Sequence, residues 1–247
     1  PYIMGSHSGE AGAWVSGPED IATGEYFWGY NRMTTINGLF AAGDGVGAAP
    51  HKFSSGSFTE GRIAAKSAVN FLADNPDAPN VSDANVRSIQ ETIWAPLETF
   101  EKHKGASSAE EINPNYMTPK QALVRLQKIM DEYGGGASTW YTTNEPTLLR
   151  GIELIEMFRE DLAHLAARNR HELMRCWEVV HRTWVGEAHL RHLLHRKETR
   201  WPGYYYRSDY PDLDDANWRV FVNSKFDAAN NTWEMQTRPY KNIITSI

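Results

Sequence analysis

The sequence predicts an α+β protein in which a few short strands and a helix are followed by a helical bundle and then by a loop with a β-hairpin. Three observations support this fold class. Residues 1–80 are rich in Gly, Ser and Ala and hold one short apolar run beside one helical pattern. Residues 84–198 carry apolar side chains at helical spacing almost throughout. Residues 199–247 are aromatic and contain a hairpin signal.

The first part contains the predicted strand and the first predicted helix. Residues 36–42 (INGLFAA) predict a short buried strand bounded by glycines. Residues 57–73 place apolar side chains at helical spacing, and the Ser and Gly residues just before them are a helix start signal. Residues 74–83 are rich in Pro, Asn and Asp and therefore predict a connection to the next part.

The central part predicts a helical bundle. Residues 85–104 form an amphipathic pattern, with a break expected near Pro96 because proline lacks a backbone N–H. Pro119 suits the first turn of a helix that Gly134 ends. Residues 145–167 and 171–197 predict two long helices joined by a short polar link. Short links place consecutive helices side by side, as in an up-down bundle.

The last part predicts a loop and a hairpin. Residues 199–211 (TRWPGYYYRSDYP) predict an extended loop packed on a large surface, because such a group of aromatic rings is too apolar to leave exposed. Residues 218–224 and 231–237 are strand-like and surround the polar stretch KFDAANN, which predicts a β-hairpin.

Composition excludes several classes of protein. The formal net charge of −6 disfavours a nucleic-acid partner, and no apolar run reaches the roughly 18 residues of a transmembrane segment. The single cysteine, Cys176, excludes an internal disulfide and a cysteine-ligated iron–sulfur cluster built by this chain alone. We expect a reducing, cytoplasmic location. The chain begins without Met and without a signal-peptide pattern, so we expect a fragment or a processed chain.

The Gly-rich loop between the predicted strand and the first helix is the main candidate site. Asp44 follows the strand and can accept hydrogen bonds from sugar-like hydroxyls. The turn at residues 54–57 presents backbone N–H groups at the positive end of a helix, which favours an anionic oxygen such as that of a reduced flavin. A structural glycine loop that binds no ligand is the alternative.

Histidines on the longest predicted helix stop short of a metal motif. His171 and Glu172 begin an HExxH pattern that ends in Arg175 instead of a second histidine. Glu178 and His181 supply only one half of a di-iron motif. We therefore predict no metal site, and a metal-dependent helical bundle stays open as an alternative.

Several long motifs resemble one family of flavoproteins. INGLFAAGD, followed by a small-residue loop and a helix, resembles the C-terminal half of the FAD-binding domain in the fumarate reductase and succinate dehydrogenase superfamily. PYIMGSHSGEAGAW, PHKFSSGSFTEGRIAAK, LAARNRHELMR and ETRWPGYYYRSDYP resemble, in the same order, the alpha subunits of dissimilatory adenylylsulfate reductases. The Gly-rich dinucleotide fingerprint of that family is not in this sequence, so the resemblance is to the C-terminal part of the subunit.

The resemblance implies a domain organisation. Residues 1–30 would be the end of a capping domain, and residues 31–80 the C-terminal part of a FAD-binding domain. Residues 81–198 would be a helical domain, and residues 199–247 an aromatic loop with a hairpin extension. Alone, such a chain is not expected to hold FAD firmly.

The resemblance also implies roles for individual residues. His7 matches a histidine that faces the substrate beside the flavin and is the predicted catalytic residue. Lys52, which stands where fumarate reductases have an Arg, and Arg200 are candidate substrate-binding residues. Arg200 and Arg207 could instead brace the FAD-binding domain against the helical domain. The predicted FAD contacts are Gly43, Asp44, Ser54, Ser55, Gly56, Ser57 and Phe58.

The implied reaction interconverts adenylylsulfate with sulfite and AMP through a flavin N5–sulfite adduct. FAD would be the cofactor, and iron–sulfur clusters would lie on a partner beta subunit because this chain has a single cysteine. Besides the metal-dependent helical bundle, two alternatives remain open. One is another oxidoreductase of the superfamily that acts on a dicarboxylate or on L-aspartate, which Lys52 disfavours. The other is a non-catalytic helical assembly module.

Overall fold

The structure, a computed structural model, describes residues 11–22, 24, 26–47, 53–109, 111–200 and 202–239. These residues group into two compact units, the first reaching Asn80 and the second beginning at Val81. Helices dominate and short strands accompany them, which confirms the α+β prediction. None of the helices in the described ranges combines the length and the apolarity that crossing a membrane requires.

The first unit contains helix α1 (Phe53–Asp74), which includes the predicted helix 57–73 and begins four residues earlier. The predicted buried strand 36–42 is wrong. Ile36 and Leu39 are 63% and 50% exposed, and Phe40 forms only an isolated bridge with Met33. The reason is the Asn-Gly pair: Gly38 has a φ of +77°, and the Leu39 N–H donates to the Ile36 carbonyl. An Asn-Gly pair favours a tight turn over a continuous strand.

Helix α1 packs along one face. Glu60, Ala64 and Ser67 are buried and recur at helical spacing. Phe71 continues the same face, and its ring lies 5.2 Å from the ring of Tyr30 in an edge-on arrangement. Edge-on aromatic pairs add stability beyond the area they bury. This face therefore fixes α1 to the loops that precede it.

The second unit is built mainly from helices α2 (Asp83–His103), α3 (Pro119–Tyr133), α4 (Glu145–Asp161) and α5 (Arg170–His195), with the short helix α6 (Asp215–Trp218). Its strands are β1 (Thr142–Thr143), β2 (Tyr206–Arg207), β3 (Val220–Asp227) and β4 (Thr232–Pro239). Helices α3, α4 and α5 surround one apolar core, which confirms the predicted bundle. The predicted helix 145–167 is too long, since α4 ends at Asp161 and a 3-10 turn, Leu162–His164, follows.

The expected break at Pro96 is also wrong, because α2 continues through it. Proline cannot donate to the carbonyl one turn earlier. Here, tertiary hydrogen bonds secure the same part of the helix. The Ala167 N–H donates to the Pro96 carbonyl at 2.9 Å, and the Trp177 indole N–H donates to the Ile93 carbonyl at 3.1 Å.

Strands β3 and β4 form the predicted hairpin, antiparallel and in register from Val220–Pro239 to Asp227–Thr232. Glu187 of α5, which is fully buried, joins this hairpin to the bundle. Its Oε1 accepts the Trp233 indole N–H of β4 at 2.7 Å and Arg191 Nη2 at 2.8 Å, and its Oε2 accepts Arg159 Nη1 at 2.9 Å. The carboxylate is therefore satisfied although no water reaches it.

The loop after α5 is tied to the end of that helix. Arg207, fully buried in β2, donates to the Leu193 and Arg196 carbonyls and pairs with Asp209. Strand β2 lies parallel to β1, with Thr142 opposite Tyr206. The loop predicted from the aromatic sequence thus contains a two-residue strand.

Replacing the buried carboxylate should destabilise the second unit. We expect Glu187→Gln to lower the free energy of unfolding by about 3 kcal/mol, because Arg159 and Arg191, whose side chains are 19% and 22% exposed, lose the fully buried carboxylate that they share. Urea titration monitored by tryptophan fluorescence measures this change. The control is Glu153→Gln, whose carboxylate pairs with Arg150 at an exposed site and should matter far less. Equal urea midpoints for the two variants would contradict the assignment.

The docking of the hairpin should weaken in acid. His192 Nε2 lies 2.9 Å from the Ser224 hydroxyl of β3. Burial, followed by the nearby His189, His195 and Arg196, lowers the pKa of His192 below its ordinary value of 6.5. A lowered pKa means that the folded state favours the neutral ring. The stability that the neutral His192 ring contributes is therefore fully present above pH 6.5, and it is lost as the pH falls through the folded-state pKa of His192.

We expect His192→Gln to flatten the decline in stability between about pH 6.5 and pH 5. Denaturation midpoints measured across that range test the expectation. His171→Gln, at an exposed histidine at the start of the same helix, serves as the control and should keep the original slope.

Candidate functional site

The candidate site in the first unit is the contact between a 3-10 turn, Gly43–Gly45, and the first turn of α1. Gly43 is buried and has a φ of +63°, a left-handed conformation that favours glycine. A Cβ at Gly43 would lie 3.0 Å from Ser57 Oγ and 3.4 Å from Ser57 Cβ. A side chain at Gly43 would therefore crowd Ser57 as well as strain the backbone.

Hydrogen bonds hold the 3-10 turn in place. The Val46 N–H donates to the Gly43 carbonyl at 3.1 Å, and the Ala13 N–H donates to the Gly45 carbonyl at 2.7 Å. The Gly47 N–H in turn donates to the Ala13 carbonyl at 3.0 Å. Asp44 lies between these anchored residues, and its side chain is exposed. A carboxylate on a fixed backbone can accept bonds from hydroxyl groups of a ligand.

The first turn of α1 supplies the opposite charge. Since α1 begins at Phe53, the predicted turn 54–57 lies in the helix itself, where the first backbone N–H groups have no acceptor within the helix. No acidic residue lies in this turn to neutralise the positive helix end. Gly56 is buried, whereas Ser54 and Ser57 are exposed. The turn can therefore bind an anionic oxygen.

The structure brings most of the predicted FAD-contacting residues together. Gly43 touches Ser57, and Asp44 is the next residue along the turn. Ser54, Ser55 and Gly56 lie in the same helical turn, followed by Phe58, whose side chain is 77% exposed. The arrangement places a carboxylate, a helix N-terminus and an accessible aromatic ring in one region.

The other predicted site residues fall elsewhere. His7 and Lys52 lie outside the described residues. Arg200 belongs to the second unit, where it donates to both oxygens of Glu198 and to Asp215 Oδ1 at 2.9 Å. These hydrogen bonds are the main reason that the pKa of Arg200 is raised.

Sequence reasoning missed an ion pair next to the site. Arg32 donates to both carboxylate oxygens of Glu60, with Nη2 at 2.9 Å from Oε1. Glu60 is only 6% exposed. The sequence signal for this ion pair was the position of Glu60. The helical pattern places this charged residue on the packed face of α1, among small and apolar residues. Such a residue is buried only with a partner.

The histidines and the cysteine of the second unit form no obvious reactive centre. In the described parts of the chain, no three His, Cys, Asp or Glu side chains are grouped closely enough to hold a metal ion. Glu178 pairs with Arg175 at 2.9 Å. Burial raises the pKa of the Cys176 thiol to about 12, so the thiol stays protonated at neutral pH.

Comparison with known proteins relates the chain to flavoproteins. Residues 124–245 match the family described as Fumarate reductase flavoprotein C-term. The adenylylsulfate reductase alpha subunit of Megalodesulfovibrio gigas is 45% identical over 99% of this chain, which covers 38% of that subunit.

Solved structures agree with the sequence comparison. The adenylylsulfate reductase of Archaeoglobus fulgidus matches all of this chain with 57% identity and a TM-score of 0.94, over 39% of its own chain. An adenosine-5-phosphosulfate reductase in complex with sulfite, described as a covalent adduct, matches with the same identity, TM-score and coverage. The Escherichia coli quinol fumarate reductase is 18% identical with a TM-score of 0.63 over 87% of this chain and 35% of its own, and supports the fold alone.

The chain thus spans about two-fifths of the length of the adenylylsulfate reductase relatives that it matches. The match extends through both compact units. Along its whole length the chain is similar in sequence and in fold to part of the adenylylsulfate reductase alpha subunit, and its residues 124–245 match the C-terminal family of fumarate reductase flavoproteins.

Proposed function

We propose that this chain contributes to a flavin-dependent adenylylsulfate reductase by holding FAD and facing the sulfur-containing substrate. The observation that carries the proposal is the match at 57% identity to a reductase solved with a sulfite adduct. In the proposed reaction, adenylylsulfate accepts two electrons, the bond between sulfur and the bridging oxygen breaks, and AMP leaves with that oxygen. Sulfite is the other product, and the reaction is reversible.

The junction between Gly43 and Ser57 suits FAD. Gly43 presents no side chain and lies against Ser57, and Asp44 is the next residue along the same turn. We assign the Asp44 carboxylate to the ribityl or ribose hydroxyls of FAD. The N–H groups of residues 54–57 would stabilise negative charge at the pyrimidine edge of the flavin. FAD, when bound, supplies the two electrons to the sulfur atom.

We assign substrate binding first to His7, which precedes Gly43 in the sequence, and to Lys52, which lies between Gly43 and Ser57. The imidazole of His7 would bind a sulfonyl oxygen as charge develops there. Lys52 would attract the anionic substrate as a point charge, whereas a planar Arg suits a dicarboxylate better. Arg200 stays a candidate for substrate binding, although its bonds to Glu198 and Asp215 support the structural alternative.

The two electrons that reduce the substrate must reach FAD from a partner subunit. With one cysteine, and that one buried as a protonated thiol, this chain offers no cysteine ligands for an iron–sulfur cluster. We therefore propose that an iron–sulfur beta subunit docks on the complete alpha subunit and delivers electrons to FAD. A cytoplasmic location, where thiols stay reduced, fits this composition.

A chimaeric alpha subunit tests the proposed function. Residues 1–247 replace the matching C-terminal segment of the Archaeoglobus fulgidus subunit, and the product is expressed with the partner subunit of that enzyme. We expect the purified chimaera to retain FAD, to lose visible flavin absorbance when sulfite is added, and to reduce adenylylsulfate. A folded chimaera that binds no flavin, or that reduces fumarate instead, would overturn the proposal.

Substitution of Gly43 in this chimaera should weaken FAD binding. A Cβ in the left-handed conformation costs about 1–2 kcal/mol and would press on Ser57. We expect Gly43→Ala to raise the dissociation constant of FAD about tenfold, as measured by flavin fluorescence. Gly45→Ala is the matched control in the same turn, since a Cβ there meets nothing within 4 Å. A similar affinity in both variants would show that the close contact is unimportant.

A further inference from the structure

Arg32 connects the segments that lead to the candidate flavin site. Its backbone N–H donates to the Ser16 carbonyl at 2.8 Å, and its carbonyl accepts the Ala41 N–H at 3.1 Å. Ala41 lies two residues before Gly43, so this bond fixes the backbone that enters the 3-10 turn. Arg32 itself has a φ of +68°, a conformation that residues other than glycine seldom adopt. The bonds on both sides hold it there.

The side chain of the same residue reaches α1. The Arg32 guanidinium donates through Nε and Nη2 to the two oxygens of Glu60, which makes a bidentate pair. The two side chains are only 16% and 7% exposed, so water screens the pair poorly. Glu60 lies one helical turn after Gly56, on the packed face of α1. The Arg32–Glu60 pair therefore attaches α1 to the preceding loop next to the first turn of the helix.

We propose that Arg32 and Glu60 are positioning residues that set the spacing between the Gly43–Asp44 backbone and the first turn of α1. The inference rests on the proposed function, because that spacing matters chemically only if FAD lies at the junction. Arg32 holds one side of the junction through its backbone and the other side through its guanidinium. Neither side chain has to touch the flavin.

The spacing between the turn and the helix matters because the electrostatic effect of a helix N-terminus acts only over a short distance. The electrostatic effect of a helix N-terminus falls off within its first turn. Groups that bind a cofactor must be held to within about 0.5 Å of their working geometry. A planar guanidinium bound at two points resists both sliding and rotation of the helix, whereas a single hydrogen bond allows either. The bidentate pair is thus suited to fixing the N–H groups of residues 54–57.

A second contact between the same loop and the same helix provides a matched control. The Tyr30 hydroxyl donates to Asp74 Oδ2 at 2.8 Å. Tyr30 is two residues before Arg32 in the chain, but Asp74 lies at the other end of α1, about 21 Å from Glu60 along the helix axis. Loss of this contact loosens the attachment of α1 without disturbing the turn that faces the flavin.

The experiment compares Glu60→Gln, Arg32→Lys and Tyr30→Phe in the chimaeric subunit. Flavin fluorescence gives the FAD dissociation constant, and visible circular dichroism reports the surroundings of the bound flavin. We expect Glu60→Gln and Arg32→Lys to raise the dissociation constant about tenfold and to change the dichroism band. Arg32→Lys keeps the positive charge and loses only the two-point geometry. We expect Tyr30→Phe to leave both readouts unchanged.

The outcomes separate this inference from the proposed function. If the parental chimaera binds FAD and Glu60→Gln behaves like Tyr30→Phe, the positioning role is wrong and the proposed function stands. If the parental chimaera binds no FAD, both fall. If Glu60→Gln does not fold, Arg32→Lys decides the question, and an unchanged FAD affinity in that variant overturns the inference.

Discussion

Close packing between Gly43 and the N-terminal turn of α1 is the constraint on which the candidate site depends. A Cβ at Gly43 would lie 3.0 Å from Ser57 Oγ, so any side chain there would crowd the helix. The loop that carries Asp44 and the N-terminal turn of α1, whose first N–H groups have no acceptor within the helix, therefore meet. Either element alone is common in proteins, and their contact makes a place where hydroxyl groups and negative charge can be bound side by side. The chemistry that we propose needs both.

The second unit depends on a different interaction, in which a buried carboxylate is held between two arginines. Glu187 and Glu198 are both fully buried, and each accepts hydrogen bonds from two guanidinium groups. A carboxylate without such partners could not remain charged in this environment. The pairs join the hairpin and the C-terminal loop to α5. Arg200, which the sequence offered as a candidate substrate ligand, donates to Glu198 and Asp215 within this unit.

Helix positions were largely predictable because their ends carry local signals. Helix α3 begins where Thr118 and Gln121 form a capping box, and α5 begins where the Asn169 side chain accepts the Glu172 N–H. The predictions failed where contacts between distant segments determine the local structure. Hydrogen bonds from other segments secure α2 around Pro96, and a turn at residues 37–38 interrupts the predicted strand. The residue pattern of a short sequence segment did not indicate the continuation of α2 through Pro96 or the turn at residues 37–38.

The candidate site was predictable only in part, for a related reason. The groups that we propose to face the flavin are backbone N–H groups, so the side chains of residues 54–57 would matter less than the position of the helix that presents them. Composition and spacing can indicate a small-residue turn, but the position of a helix depends on its partners. Here, the partner is an arginine that lies 28 residues away from Glu60 in the chain. No local rule connects the two, and only the folded chain reveals that one residue holds both sides of the junction.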